Sequence, residues 1–129
     1  MTFEVLDASQ GLPRMFDVIT TFDVVHDAVA PRAPLSSIRE ALREGGRYLC
    51  LDINCSAETT ENVGPIPTLL YGFSVLYCMT TSLARGGRGL GTLGLPERVL
   101  RDLAGHAGFT SVRKVDMDNP FNSLYEVSR

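Results

Sequence analysis

The sequence predicts an α/β fold, with a largely parallel sheet closed by an antiparallel hairpin. Two near-continuous apolar runs, Phe16–Phe22 and residues 47–53, have the β-branched and aromatic character of buried strands. A single amphipathic helix pattern lies between them, the spacing of a strand-helix-strand unit. Two shorter runs, 112–116 and 123–127, are joined by Asn119-Pro120-Phe121-Asn122, turn chemistry short enough for a hairpin.

Taken in order, residues 3–6 alternate and are followed by Gln10-Gly11-Leu12-Pro13, which reads as a strand and a turn. Phe16–Phe22 is the next strand. Pro31 and Pro34 then precede Leu35, Ile38, Ala41 and Leu42, apolar positions three or four apart, and Gly45-Gly46 supplies a stop. That pattern predicts a helix reaching the glycines. Residues 47–53 follow as a strand expected to be covered on both faces.

A polar loop begins at Asn54, and residues 62–84 carry no charged side chain. Leu69, Leu70, Phe73, Leu76 and Tyr77 form one helical face, while Val75, Met79 and Leu83 make the other side apolar, so cover on both sides is expected. Pro65, Pro67, Gly72 and several Thr and Ser dilute the stretch below the roughly 20 strongly apolar residues of a membrane span, and no membrane partner is expected. Glycines between 86 and 94 mark a loop. A helix then starts near Pro96, buries Val99, Leu100, Leu103 and Ala107, and stops at Gly108. With no internal repeat or linker, residues 1–129 read as one domain, with 54–95 as a lid or acceptor-side insertion.

Composition narrows the function classes. Hydrophobic residues at 44% and charged residues at 21% place the chain among folded globular proteins. The net charge is -3 and the basic residues form no stripe, which argues against nucleic acid as a partner. Cys50, Cys55 and Cys78 show no ligand spacing, so packed, reduced thiols and no metal are expected. The N-terminus has no basic segment followed by an apolar one, and a cytoplasmic location is expected.

Four segments together carry a family resemblance. Asp7-Ala8, the run from Phe16 through Val25-His26-Asp27, Ala41-Leu42-Arg43-Glu44-Gly45-Gly46 and Ala107-Gly108-Phe109 resemble, at matching spacings, the later motifs of class I S-adenosylmethionine-dependent methyltransferases. Asn119-Pro120-Phe121-Asn122 with Tyr125 resembles the closing hairpin of a bacterial subset. Glu44 stands where the family usually has Pro.

The resemblance implies a partial Rossmann-like sheet, with the chain's strands equivalent to the third to seventh of the family order 3-2-1-4-5-7-6. The family's glycine-rich loop and ribose-holding acid have no counterpart, so the chain reads as the C-terminal half of such a domain. Residues 2–6 then lack a partner and Phe16–Phe22 becomes an exposed edge, for which self-association or an N-terminal partner segment is expected.

Site residues follow from the same resemblance. Asp7 and Ala8 are placed at the adenine of S-adenosylmethionine, Asp7 having the alternative of capping its own turn. Thr21 and Phe22 are placed at the methionine part, Phe22 having the alternative of lying in the core. His26 beside Asp27 is the candidate base for a small-molecule acceptor, although alignment of the acceptor with a sulfonium can supply much of the rate by itself. Tyr71, Phe73, Tyr77 and Met79 are candidate walls of the acceptor pocket, or else pack on the sheet. His106 suits a helix C-terminus. The leading expectation is methyl transfer to a small molecule. The rivals are a non-catalytic module binding through its sheet edge and a dehydrogenase-like nucleotide binder.

Overall fold

The alternating burial of the 12-residue strand Leu42–Ile53 organises the molecule, with Tyr48, Cys50 and Asp52 on one face and Leu49 and Leu51 on the other. This is strand β2 of a computed structural model that describes residues 2–129. Strand β1 (Phe16–Phe22) runs parallel to it, pairing Ile19 with Tyr48, Thr21 with Cys50 and Phe22 with Leu51. β3 (Ser111–Val115) and β4 (Asn122–Ser128) form the C-terminal hairpin. β4 also pairs antiparallel with β2, opposing Cys50 with Tyr125 and Asp52 with Ser123. The sheet order β1-β2-β4-β3 is the one the resemblance implies for the family's fourth, fifth, seventh and sixth strands.

Helices α1 (Arg32–Ala41) and α4 (Glu97–His106) cover one face. Leu35 and Ile38 of α1, with Leu100, Leu103 and Ala104 of α4, meet Tyr48, Cys50, Val112, Tyr125 and Val127 in a continuous apolar core. Tyr48 stacks on Phe109 with ring centroids 6.0 Å apart. The opposite face is only partly covered, with Val18 54% and Phe22 64% exposed. Cover on both faces was expected of β2, but neither packed helix reaches that second face.

The structure corrects further expectations. Residues 2–7 are not a strand, because no neighbouring strand offers them a ladder, and Phe3 and Val5 stand in solvent. α1 stops at Ala41, ahead of the glycines, since Leu42 already has strand dihedrals and pairs with Phe16. The glycines instead shape an irregularity between the Phe16 and Val18 pairings, where Gly45 takes φ 75°. A Cβ at Gly46 would meet the carbonyl oxygens of Arg43 and Asp17 at 3.0 Å.

A continuous helical run follows, composed of α2 (Pro65–Phe73), a π-helical segment (Ser74–Cys78) and α3 (Met79–Ala84). Contrary to the expectation that Pro65, Pro67, Gly72 and the hydroxyl residues dilute it too far, this helix is long and apolar enough to cross a membrane by length and composition. Its buried stripe is Leu70, Ser74, Cys78 and Ser82, four apart, while Leu69, Phe73, Leu76, Tyr77 and Leu83 are exposed. Apolar cover on both sides is therefore not found. The small side chains of the stripe admit the glycine loop closely. Ser74 Oγ accepts from the Thr92 amide at 3.1 Å, Ser82 Oγ from the Gly89 amide at 3.2 Å, and a Cβ at Gly91 would overlap Ser74.

Candidate functional site

The carboxyl ends of the two parallel strands bring the chemistry together, as open α/β sheets generally do. β1 leads into Asp23, a non-glycine residue at φ 51°, whose amide donates to Leu51 O at 2.9 Å and whose carboxylate accepts from Asn122 Nδ2 at 2.7 Å. This anchored turn delivers Val25 and His26 into the interior, His26 being 3% exposed. Three residues past Leu49, β2 presents Asp52, which is 0% exposed.

His26 Nδ1 donates to Asp52 Oδ1 at 2.6 Å, and the Ile53 amide donates to the same oxygen at 2.8 Å. Asp52 Oδ2 is buried without a hydrogen-bond partner. On the other side of the ring, His26 Nε2 faces Asp27 Oδ1 at 3.3 Å. Burial works against a charge on His26, but the Asp52 hydrogen bond and the charges of Asp52, Asp27 and Asp23 outweigh it and hold the imidazole above its usual value. Asp23 is also raised, first by burial and then by the charge of Asp52. A carboxylate that fixes one imidazole nitrogen leaves the other free to act as a base.

Two cavities lie nearby, the first lined by His26 itself. One, of about 490 Å³, is walled by Asp23, His26, Phe73, Tyr77, Thr92 and Phe121. The other, of about 620 Å³, lies between the turn at Asp7, Ala8 and Ser9 and the segment Val24 to Ala30, with Arg85 at its rim. Asp27 lines both and is their common wall.

The predicted residues are not all gathered here. Asp7 and Ala8 line the second cavity, and Asp7 also caps its turn, accepting from the amide and hydroxyl of Ser9 at 2.9 and 2.7 Å. Those hydrogen bonds, the hydroxyl's first, lower its pKa. Thr21 and Phe22 line neither cavity. The Thr21 hydroxyl shares a 2.7 Å hydrogen bond with that of Tyr48, and Phe22 lies on the open face of the sheet, outside the core. Tyr77 and Phe73 line the first cavity. Tyr71 is exposed elsewhere, and the Met79 Cβ lies 3.3 Å from where a Cβ on Gly91 would stand. His106, at the end of α4, donates from Nδ1 to Asp102 O at 2.8 Å.

Sequence reasoning missed Asp52, Asp23, Thr92 and Phe121. Asp52 carried a usable signal, since a carboxylate in phase with Tyr48 and Cys50 on the buried side of a strand must have a partner. The others are joined to His26 only by the fold.

No protein-family profile and no curated protein matches the chain. Solved structures do. It overlays TnmH with a TM-score of 0.76 at 26% identity, covering 98% of this chain and 34% of that one. An O-methyltransferase family protein from Burkholderia thailandensis matches with a TM-score of 0.64 at 21% identity, covering 100% and 35%. Human N-acetylserotonin methyltransferase, solved with S-adenosylmethionine, gives 0.66 at 17%, covering 98% and 33%. The fold is that of the C-terminal part of a methyltransferase domain. The chain spans about a third of the length of each of these structures. Within the methyltransferase fold, the first cavity lies where the carboxyl ends of β1 and β2 meet, and the second lies along the segment that follows β1.

Proposed function

We propose that this methyltransferase-fold chain takes part in S-adenosylmethionine-dependent methylation of a hydroxyl on a small-molecule acceptor. The buried His26–Asp52 pair, whose imidazole lines the first cavity and whose neighbour Asp27 lines both, carries the reading. S-adenosylmethionine, when bound, supplies a methyl group on a positively charged sulfur. The residues present fit such a cation. Asp23 and Asp27 face the cavities, Asp52 is buried behind them, and among the residues lining the first cavity there is no Lys or Arg. Asp7 and Ala8 would hold the nucleoside end in the second cavity.

In this proposal the acceptor lies in the first cavity against Phe73, Tyr77 and Phe121. His26 Nε2 takes the hydroxyl proton as the oxygen attacks, and Asp52 stabilises the imidazolium through Nδ1. A positioned base of this kind contributes typically about 10²–10⁴ in rate. In this reading the reaction takes place in the cytoplasm on a small molecule, and nucleic acid has no role.

A second reading, a binding module acting through its sheet edge, is favoured by β1 itself. It is the outermost strand, with Val18 and Phe22 exposed, and such edges pair with another strand. The occupant would be a second copy or a segment carrying the family's glycine-rich turn. Isothermal titration with S-adenosylmethionine separates the readings. Saturable binding that weakens in Asp7→Ala supports the methyltransferase reading. No binding, together with concentration-dependent association in light scattering, supports the module.

A further inference from the structure

The methylation described above leaves one carboxylate of the first cavity without a partner charge. In that scheme Asp52 stabilises the imidazolium of His26, and Asp27, the wall common to both cavities, faces the sulfonium. Asp23 is left over. It lines the first cavity only and forms no ion pair among the described residues, and no Lys or Arg lines that cavity. We propose that the first cavity takes an acceptor bearing a protonated amine, with Asp23 as the counter-ion of that amine, an assignment that rests on the methyltransferase reading.

Three features of the cavity support the assignment. First, Asp23 is held in place. Its amide donates to Leu51 O, Asn122 Nδ2 donates to its Oδ1 at 2.7 Å, and Oδ2 is left for a ligand. Burial, and then the charge of Asp52, raise its carboxyl, an effect that a nearby cation reverses. Secondly, Phe73 and Tyr77 of the helical run and Phe121 ahead of β4 line the same cavity, each about half exposed. Ring faces attract an ammonium within about 6 Å of their centroids. Thirdly, Thr92 is 4% exposed, lines the cavity, and its Oγ1 accepts no hydrogen bond. A buried hydroxyl oxygen of this kind calls for a donor, and an ammonium carries N–H donors with no acceptor to conflict with the carboxylate.

Discrimination follows from charge. A neutral acceptor of the same shape takes water from Asp23 and returns no charge, and an anionic one meets Asp23 and Asp27 with no Lys or Arg beside them. The volume of about 490 Å³ falls within the range of small-molecule sites, about 300–1,000 Å³. S-adenosylmethionine carries a protonated amine of its own. Its nucleoside end is assigned to Asp7 and Ala8 in the second cavity, across Asp27, so the acceptor is the source of the amine at Asp23. His26 Nε2 keeps its lone pair for the acceptor hydroxyl.

The test titrates the whole chain, at neutral pH and low salt, with tyramine, tyrosol and phloretate, phenols whose side chains end in an ammonium, a hydroxyl and a carboxylate. Tyramine should bind at least about tenfold more tightly than tyrosol, and phloretate most weakly. Asp23→Asn keeps an oxygen for Asn122 and a residue type that tolerates φ 51°, and it should remove the preference for tyramine while leaving tyrosol unchanged. Added salt should narrow the same preference in the unaltered chain, which serves if Asp23→Asn does not fold. Saturating S-adenosylhomocysteine should leave tyramine binding in place. No saturable tyramine binding, equal affinity for tyramine and tyrosol, a preference that survives Asp23→Asn or added salt, or competition by S-adenosylhomocysteine would each overturn the proposal. A chain that binds S-adenosylhomocysteine without preferring tyramine loses this assignment alone, whereas one that prefers tyramine through Asp23 but binds no S-adenosylhomocysteine keeps the amine site and loses the methyltransferase reading.

Discussion

Replacing Asp52 probes the site through stability alone. Its carboxylate is fully buried, accepts from His26 at 2.6 Å and from the Ile53 amide at 2.8 Å, and lies opposite Ser123 in the sheet. Asp52→Ala leaves a buried imidazole N–H and a buried amide without that acceptor. Each orphaned donor costs about 1–3 kcal/mol, and a charge-assisted bond is lost as well. Relief from burying a carboxylate works the other way, which holds the net loss near the usual 3–5 kcal/mol for breaking a buried pair from one side. For a chain of this size about 1 kcal/mol moves the midpoint by about 3–5 °C, so Tm should fall by about 10–20 °C. Asp52→Asn keeps an acceptor oxygen and loses only the charge, costing about 1–2 kcal/mol. Urea unfolding followed by circular dichroism at neutral pH measures both. A loss below about 1 kcal/mol for Asp52→Ala, or a loss no greater than that for Asp52→Asn, would refute the reasoning.

Gly46→Ala should destabilise by about 1–3 kcal/mol in thermal melts, because its Cβ meets backbone oxygens of Arg43 and Asp17 at 3.0 Å, and backbone cannot yield as a side-chain tip can. Gly72→Ala, in α2 with nothing near the new methyl, should instead stabilise by about 0.5–1 kcal/mol. Leu100→Ala empties a fully buried position in α4 and should cost about 2–5 kcal/mol by denaturant titration, whereas Leu76→Ala on the exposed helix face should change stability by less than about 0.5 kcal/mol. Burial raises the Cys50 thiol from 9.0 to about 11. Its contribution is complete below the unfolded value and is lost as pH rises through the folded one, so stability should decline between about pH 9 and pH 11 by about 2–3 kcal/mol. Cys55, which burial also raises to about 11, adds a decline of its own over the same window, so Cys50→Ala should remove only the Cys50 share in a pH series of urea midpoints.

The fold was largely legible because its strands announce themselves. Phe16–Phe22 and residues 47–53 are apolar runs that tolerate few other fates, and the Asn119-Pro120 turn fixes the hairpin. The ends were less legible. Leu42 fits the helical stripe of Leu35 and Ile38 equally well, and only pairing with Phe16 decides that it begins a strand. Residues 3–6 have strand composition without a neighbour, and a ladder needs two members. The apolar stretch 62–84 misled in a different way, since its buried side is the small, polar stripe of Ser74, Cys78 and Ser82, fitted to a glycine loop, and its large residues face outward. At the site, His26 and Asp27 were visible because they follow closely on the apolar strand β1. Asp52 was half-visible from its phase in β2, while Cys78 and Thr92 were not, because the chain between them and His26 carries no periodic trace of their meeting.

Backbone amide chemical shifts on titration with S-adenosylhomocysteine test the central claim, that the carboxyl ends of β1 and β2 form the ligand site. The account predicts perturbations concentrated at residues 7–9 and 23–30. Shifts centred instead on the hairpin of β3 and β4, or none at saturating ligand, would contradict it.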